Sequence, residues 1–136
     1  MRTDIEIRDD IRALVRGSAL AAGVSGGVFA GTRPRSPLGE DIVVSVLSSG
    51  AGQVTEAYVN VNVYVADITV TYADGAQGLE EDTARLRALC RLAADALHSA
   101  HGTGWWARLA EQRVYAVEAT GEHMINNRLL YRHAEA

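Results

Sequence analysis

Between Tyr58 and Val65 the chain alternates without a break, with Val at 59, 61, 63 and 65 and Tyr or Asn at 58, 60, 62 and 64. Period two is the mark of a strand with one packed face and one polar face. A sheet covered on one side is usually antiparallel, so the β-branched run Ile42–Leu47 is predicted to pair in a hairpin with Val54–Val65 through the Ser48–Gly52 turn. Two other stretches follow the helical period instead. From Thr3 to about Val15 the apolar positions are Ile7, Ile11, Leu14 and Val15, and Thr3 with Glu6, or Asp4, offers the N-cap. From Leu79 to about His98, Leu86, Leu89, Cys90, Ala93 and Leu97 form one stripe, Glu81 and Arg85 make an i,i+4 pair, and Glu80, Glu81 and Asp82 fall in the first turn.

Breaks in these periods place the connections. Gly17, Gly23, Gly26 and Gly27 end the first helix, and a short strand, Val28–Thr32, follows. Arg33–Gly39 holds both prolines and reads as an exposed loop; Asp67–Gly78, with Asp74-Gly75, reads as the loop that leaves the sheet. After His101–Gly104, the strands Gln112–Ala119 and His123–Arg132 form a second hairpin around Thr120-Gly121-Glu122. The expected fold is α+β, in the order α-β-β-β-α-β-β. Two main helices pack on one face of a mostly antiparallel sheet of about five strands and bury the valine stripe.

At 136 residues, the chain is expected to form one domain, residues 1–136, around a single core. Its 48% hydrophobic and 22% charged residues are those of a folded protein. A formal net charge of -4 argues against nucleic acid as a primary partner. No apolar run reaches the length of a membrane span, and the first residues lack the apolar core of a signal peptide, so a cytoplasmic product is expected. The single cysteine, Cys90, lies on the apolar stripe of the second helix, where burial raises a thiol pKa and works against a nucleophilic role.

The search for chemistry returns little. There is no Walker loop, Gly-x-Gly-x-x-Gly, Gly-x-Ser-x-Gly or His-Glu-x-x-His. His98 and His101, joined by His123 or His133, are the best metal candidates, but they read better as the cationic end of the second helix, since no second ligand pair has fixed spacing. No catalytic, cofactor or metal residue is therefore assigned. Trp105-Trp106 is more telling, because neighbours on an extended segment point to opposite sides: one enters the core, and the other anchors an interface or covers the helix end. Arg33 and Arg35 are either solvated or docked on an acidic neighbour. Asn60, Asn62, Asn126 and Asn127, depleted types in strands, belong on a polar sheet face, bonded to water, another subunit or a ligand.

Taken together, Arg33-Pro34 in a loop, the strand after Glu40-Asp41, Gln53 leading into Ala57–Val65, a helix, and a closing hairpin with Asn126-Asn127-Arg128-Leu129-Leu130-Tyr131 resemble the small tail-completion or tail-terminator proteins of tailed bacteriophages and prophages. The likeness runs from about Ile11 to Arg132 and rests on element order and strand texture. It implies a virion structural protein without catalytic residues or cofactor, assembled in the bacterial cytoplasm as a ring, commonly a hexamer, that meets tail-tube and connector proteins at the head–tail junction. A closed ring needs two different patches on each copy. Arg33 and Arg35, opposite the acidic turns at Glu40-Asp41 and Glu80–Asp82, are the candidate charged patches, with Trp105 and Trp106 as candidate anchors. Two other classes stay open: a small protein-binding regulator acting as monomer or dimer, and a small metal-binding enzyme built on the histidines. A tail-tube subunit of similar size also fits.

Overall fold

The computed structural model describes residues 1–34, 39–50 and 52–134. The first helix, α1 (Asp4–Arg16), starts where the sequence places it: Thr3 Oγ1 accepts from the Glu6 amide, and the Glu6 carboxylate accepts from the Thr3 amide. A second, five-residue helix, α2 (Ala19–Gly23), was not predicted. Its N-cap Ser18 accepts from Ala21 N–H, and Leu20 is fully buried, so one apolar anchor and one cap suffice in a stretch that its glycines mark as irregular.

Eight strands are present among the described residues rather than five. The main sheet has the order β1-β2-β3-β8-β7-β6, built from β1 (Val28–Ala30), β2 (Ile42–Gly50), β3 (Val54–Ala66), β6 (Ser99–Gly102), β7 (Trp105–Val117) and β8 (Glu122–Ala134). All pairings are antiparallel except β1 with β2. Both predicted hairpins form, and Gly121 takes the left-handed conformation (φ 65°) in the turn between β7 and β8, after a 3-10 turn at Glu118–Thr120.

The extra strands come from segments read as loops. Ile68–Thr71 (β4) and Gln77–Glu80 (β5) form a separate two-stranded sheet around Asp74-Gly75, in place of the predicted loop. Its β-branched run Ile68-Thr69-Val70-Thr71 before an Asp-Gly turn is a hairpin signal. Leu79 and Glu80 thus belong to β5, and the third helix, α3 (Thr83–Leu97), begins later than predicted, capped by Asp82 Oδ1 accepting from Arg85 N–H at 3.1 Å. Glu80 and Glu81 precede the helix, and Arg85 pairs with Glu40 instead of Glu81. β7 likewise begins seven residues before the predicted Gln112, because Gly102 and Gly104 turn the chain into a hairpin with β6.

The core lies between the helices and one face of the main sheet. Ile7, Ile11 and Val15 of α1, Leu86, Leu89, Ala93 and Leu97 of α3, and Val59, Val61, Val63 and Val65 of β3 join Ile125, Leu129 and Tyr131 of β8 in one cluster. Full burial of each such side chain stabilises by about 1.5–3 kcal/mol before entropy. Asn127, expected on the polar face, faces this core, as alternation requires of the neighbour of Asn126. Its Nδ2 donates to Val61 O at 3.0 Å and its Oδ1 accepts from Gln112 Nε2 at 2.8 Å, so its burial leaves no amide group unmet. Among the described residues, no helix is long and apolar enough to cross a membrane.

Candidate assembly surface

Of the sequence-predicted candidates, the face of the main sheet opposite the helices carries Trp106 and three of the four asparagines. Asn60, Asn62 and Asn126 form an amide row across β3 and β8, Asn126 Nδ2 donating to both Oδ1 atoms at 3.1 and 2.7 Å. Around the row, register places Tyr58 and Tyr64 of β3, Met124, Arg128 and Leu130 of β8, and Trp106, Arg113 and Tyr115 of β7 on the same face. Tyr58, Trp106 and Tyr115 are each about 40% exposed or more. The two tryptophans divide as alternation demands. Trp105 turns inward and stacks on Tyr131, ring centroids 5.5 Å apart, while Trp106 stays on the open face.

The lower end of that face is closed by a charge cluster around Arg33. Its guanidinium donates to Asp41 Oδ2 at 3.1 and 3.2 Å, to the two Glu122 carboxylate oxygens at 2.7 and 3.1 Å, and to Gly39 O, and it lies 4.2 Å over the Tyr64 ring. Asp41 is fully buried and also accepts from Gly27 N–H. Burial works against the Glu122 carboxylate, but the Arg33 hydrogen bonds outweigh it and its pKa falls below the ordinary value. Arg33 shows the reciprocal balance: burial opposes its charge, Glu122 and Asp41 favour it, and its pKa rises.

Glu40 works on the other side of the same segment. It takes two 2.6 Å bonds from Arg85 of α3 and one from Ser25 N–H, and the Arg85 bonds hold its carboxyl below the usual range. The cleft between these groups, about 510 Å³, is lined by Arg33, Glu40, Arg85, Glu122 and Asp82. Arg33, Glu40 and Asp41, read as patches for a neighbouring subunit, are thus joined within the chain, where they tie β1, β2, β8 and α3 together. Arg35 lies outside the described residues. Arg85, Glu122 and Tyr64 were missed, since nothing local in the sequence signals partners as distant as Arg33 and Glu122.

The histidines are spread out. His98 caps the end of α3, His101 sits on β6, and His123 Nδ1 contacts Asp67 Oδ1 at 2.6 Å, with its Nε2 3.9 Å from Glu81. Among the described residues no group of three or more His, Cys, Asp or Glu side chains is arranged to hold a metal ion. Burial pushes the Cys90 thiol pKa upward, away from thiolate chemistry. No family model matches the chain, and no curated protein matches it.

Proposed function

We propose that this chain is a non-enzymatic structural subunit that associates with copies of itself into a ring, the tail-terminator or tail-completion component at the head–tail junction of a tailed phage or prophage. The observation that carries the reading is the helix-free sheet face with Tyr58, Trp106 and Tyr115 exposed on it, a wide surface suited to association and poor in paired catalytic groups. The strand and loop texture that resembles the terminator family supplies the biological setting. Light scattering after size exclusion at rising concentration tests it. A closed oligomer, commonly of six copies, visible as rings by negative-stain imaging, is the expected result, and a strict monomer at high concentration that also ignores assembled tail tubes overturns it.

The second reading, a small protein-binding regulator, draws on the β4–β5 hairpin. Ile68, Tyr72 and Leu79 are 44%, 45% and 58% exposed there, and a two-stranded sheet by itself is marginal in water. A monomer that loses its partner when this hairpin is excised would favour it.

A further inference from the structure

Among the described residues, both outer edges of the main sheet are only partly covered by a further strand. β1 pairs with residues 42–44 of β2 and leaves 45–50 without a strand on the outer side. At the opposite edge, β6 pairs with residues 105–108 and leaves β7 bare from 110 to 117. With β2 drawn ascending, β3 descends, β8 ascends and β7 descends. The bare part of β2 therefore lies at the top of one edge, and the bare part of β7 at the bottom of the other.

We infer that residues 110–117 of one copy pair antiparallel with residues 45–50 of the next, joining the sheets head to tail into a closed barrel. The inference rests on the ring reading above and names its interface. The two bare stretches fit as notches: the β6 strand of one copy ends above the incoming β2, and the β1 strand of the incoming copy lies below the end of β7.

The stagger this pairing imposes is the one a barrel needs. Across the sheet, Ile42 is level with Val63, Ile125 and Val114. Pairing the centres of the bare stretches sets Val114 against the neighbour's residues 47–48. That is a shift of about five residues, or about 16 Å, against the about 19 Å spanned by four strands. The resulting inclination of about 40° falls within the range of about 35–45° at which sheets close.

The sense of the stagger also fits. Ile42 and Val44 face the helices, and Ile42 N–H and Val44 C=O both bond toward the β1 side, to Gly27 and Gly31. L-chirality then puts β1 to the right of an ascending β2 as seen from the helices, so the copy added on the left sits lower. Rising to the right, seen from outside, is the coil that right-handed strand twist gives a closed sheet. The helices therefore lie outside the barrel, and the Asn60, Asn62 and Asn126 row faces its interior.

β7 is also chemically open to pairing. Leu109 N–H points outward, to His98 O at 3.1 Å. Beyond the bulge at Leu109/Glu111, core-facing Gln112, Val114 and Ala116 likewise aim their N–H and C=O groups away from β8. The stretch 110–117 holds no lysine, proline or glycine; its charges are Glu111 and Arg113, and Val114 and Tyr115 are 42% and 47% exposed.

The test is Val114→Pro in the full chain, which removes an outward donor that no strand of the same copy uses. The expected result is an unchanged circular dichroism spectrum with the solution mass reduced to that of the monomer. Independently, Leu47→Cys with Val114→Cys in a Cys90→Ala background should give a ladder of linked copies with a short bis-maleimide, and neither single variant should pass a dimer. Wild-type rings that persist in Val114→Pro, or a double variant that stays unlinked within rings, overturn the edge pairing and leave the ring reading standing. A wild-type chain that is monomeric at every concentration and also ignores assembled tail tubes overturns both.

Discussion

Arg33 is mostly enclosed, and it satisfies two carboxylates, a carbonyl oxygen and an aromatic face, while Asp41 beneath it has no solvent contact. Removing one partner of such a pair strands the other. Arg33→Ala should therefore lower unfolding stability by about 3 kcal/mol in urea titration, and Arg33→Lys should recover little, because an ammonium cannot reproduce the planar fork. Acid acts on the same residues. Glu40 and Glu122 have folded pKa values below 4.5, so their contribution is complete above the unfolded value and is lost as pH falls through the lower folded ones. The urea midpoint should hold from pH 7 to about 5 and fall in more acid buffer, with a shallower fall in Arg85→Gln. Gly102 illustrates a different constraint: a Cβ there would overlap the Trp105 indole nitrogen and ring carbons. Gly102→Ala should cost about 2 kcal/mol through overpacking, read as a drop in melting temperature with a red shift of tryptophan emission.

At the scale of elements, the central strands and the β4–β5 hairpin mark opposite ends of stability. β3 is paired along its whole length with β8 and from Glu56 to Val63 with β2, and Val59, Val61, Val63 and Val65 are buried, whereas β4 and β5 pair only with each other. Amide hydrogen exchange should be slowest in β3 and β8 and faster in β4 and β5 by several orders of magnitude; equal protection in the two sheets would contradict this ordering. The same contrast explains what could be read from the chain. The valine alternation and the stripes of α1 and α3 are strong periodic signals, and the first long hairpin follows from the alternation, the second from the Thr120-Gly121-Glu122 turn between two strand-like runs. The short elements do not repeat a period long enough to register, so α2, β4, β5 and β6 depend on single caps, a turn dipeptide or a paired neighbour. Of the candidate surface, the split of Trp105 from Trp106 was legible because alternation decides it. The partners of Arg33 were not, because Glu122 lies 89 positions away and is brought close only by the sheet order.

For the whole molecule, the edge pairing converts strand geometry into a measurable size. Each copy adds four full strands to the barrel wall, β2, β3, β8 and β7. Strands about 4.8 Å apart and inclined about 40° give six copies a circumference of about 150 Å, hence about 48 Å between opposite backbones. Side chains of the open face take up part of that width, leaving a channel of about 35 Å lined by the asparagine row with Arg113, Arg128 and Tyr115. Arg87 and Arg91, exposed on α3, would stand on the outer rim instead. A bulky label on Arg87→Cys in a Cys90→Ala background should therefore leave ring formation intact and add density at the periphery of averaged images. The same label on Asn62→Cys should fill the channel or prevent closure. Peripheral density from Asn62→Cys in intact rings would mean the sheet faces outward, which the right-handed stagger forbids.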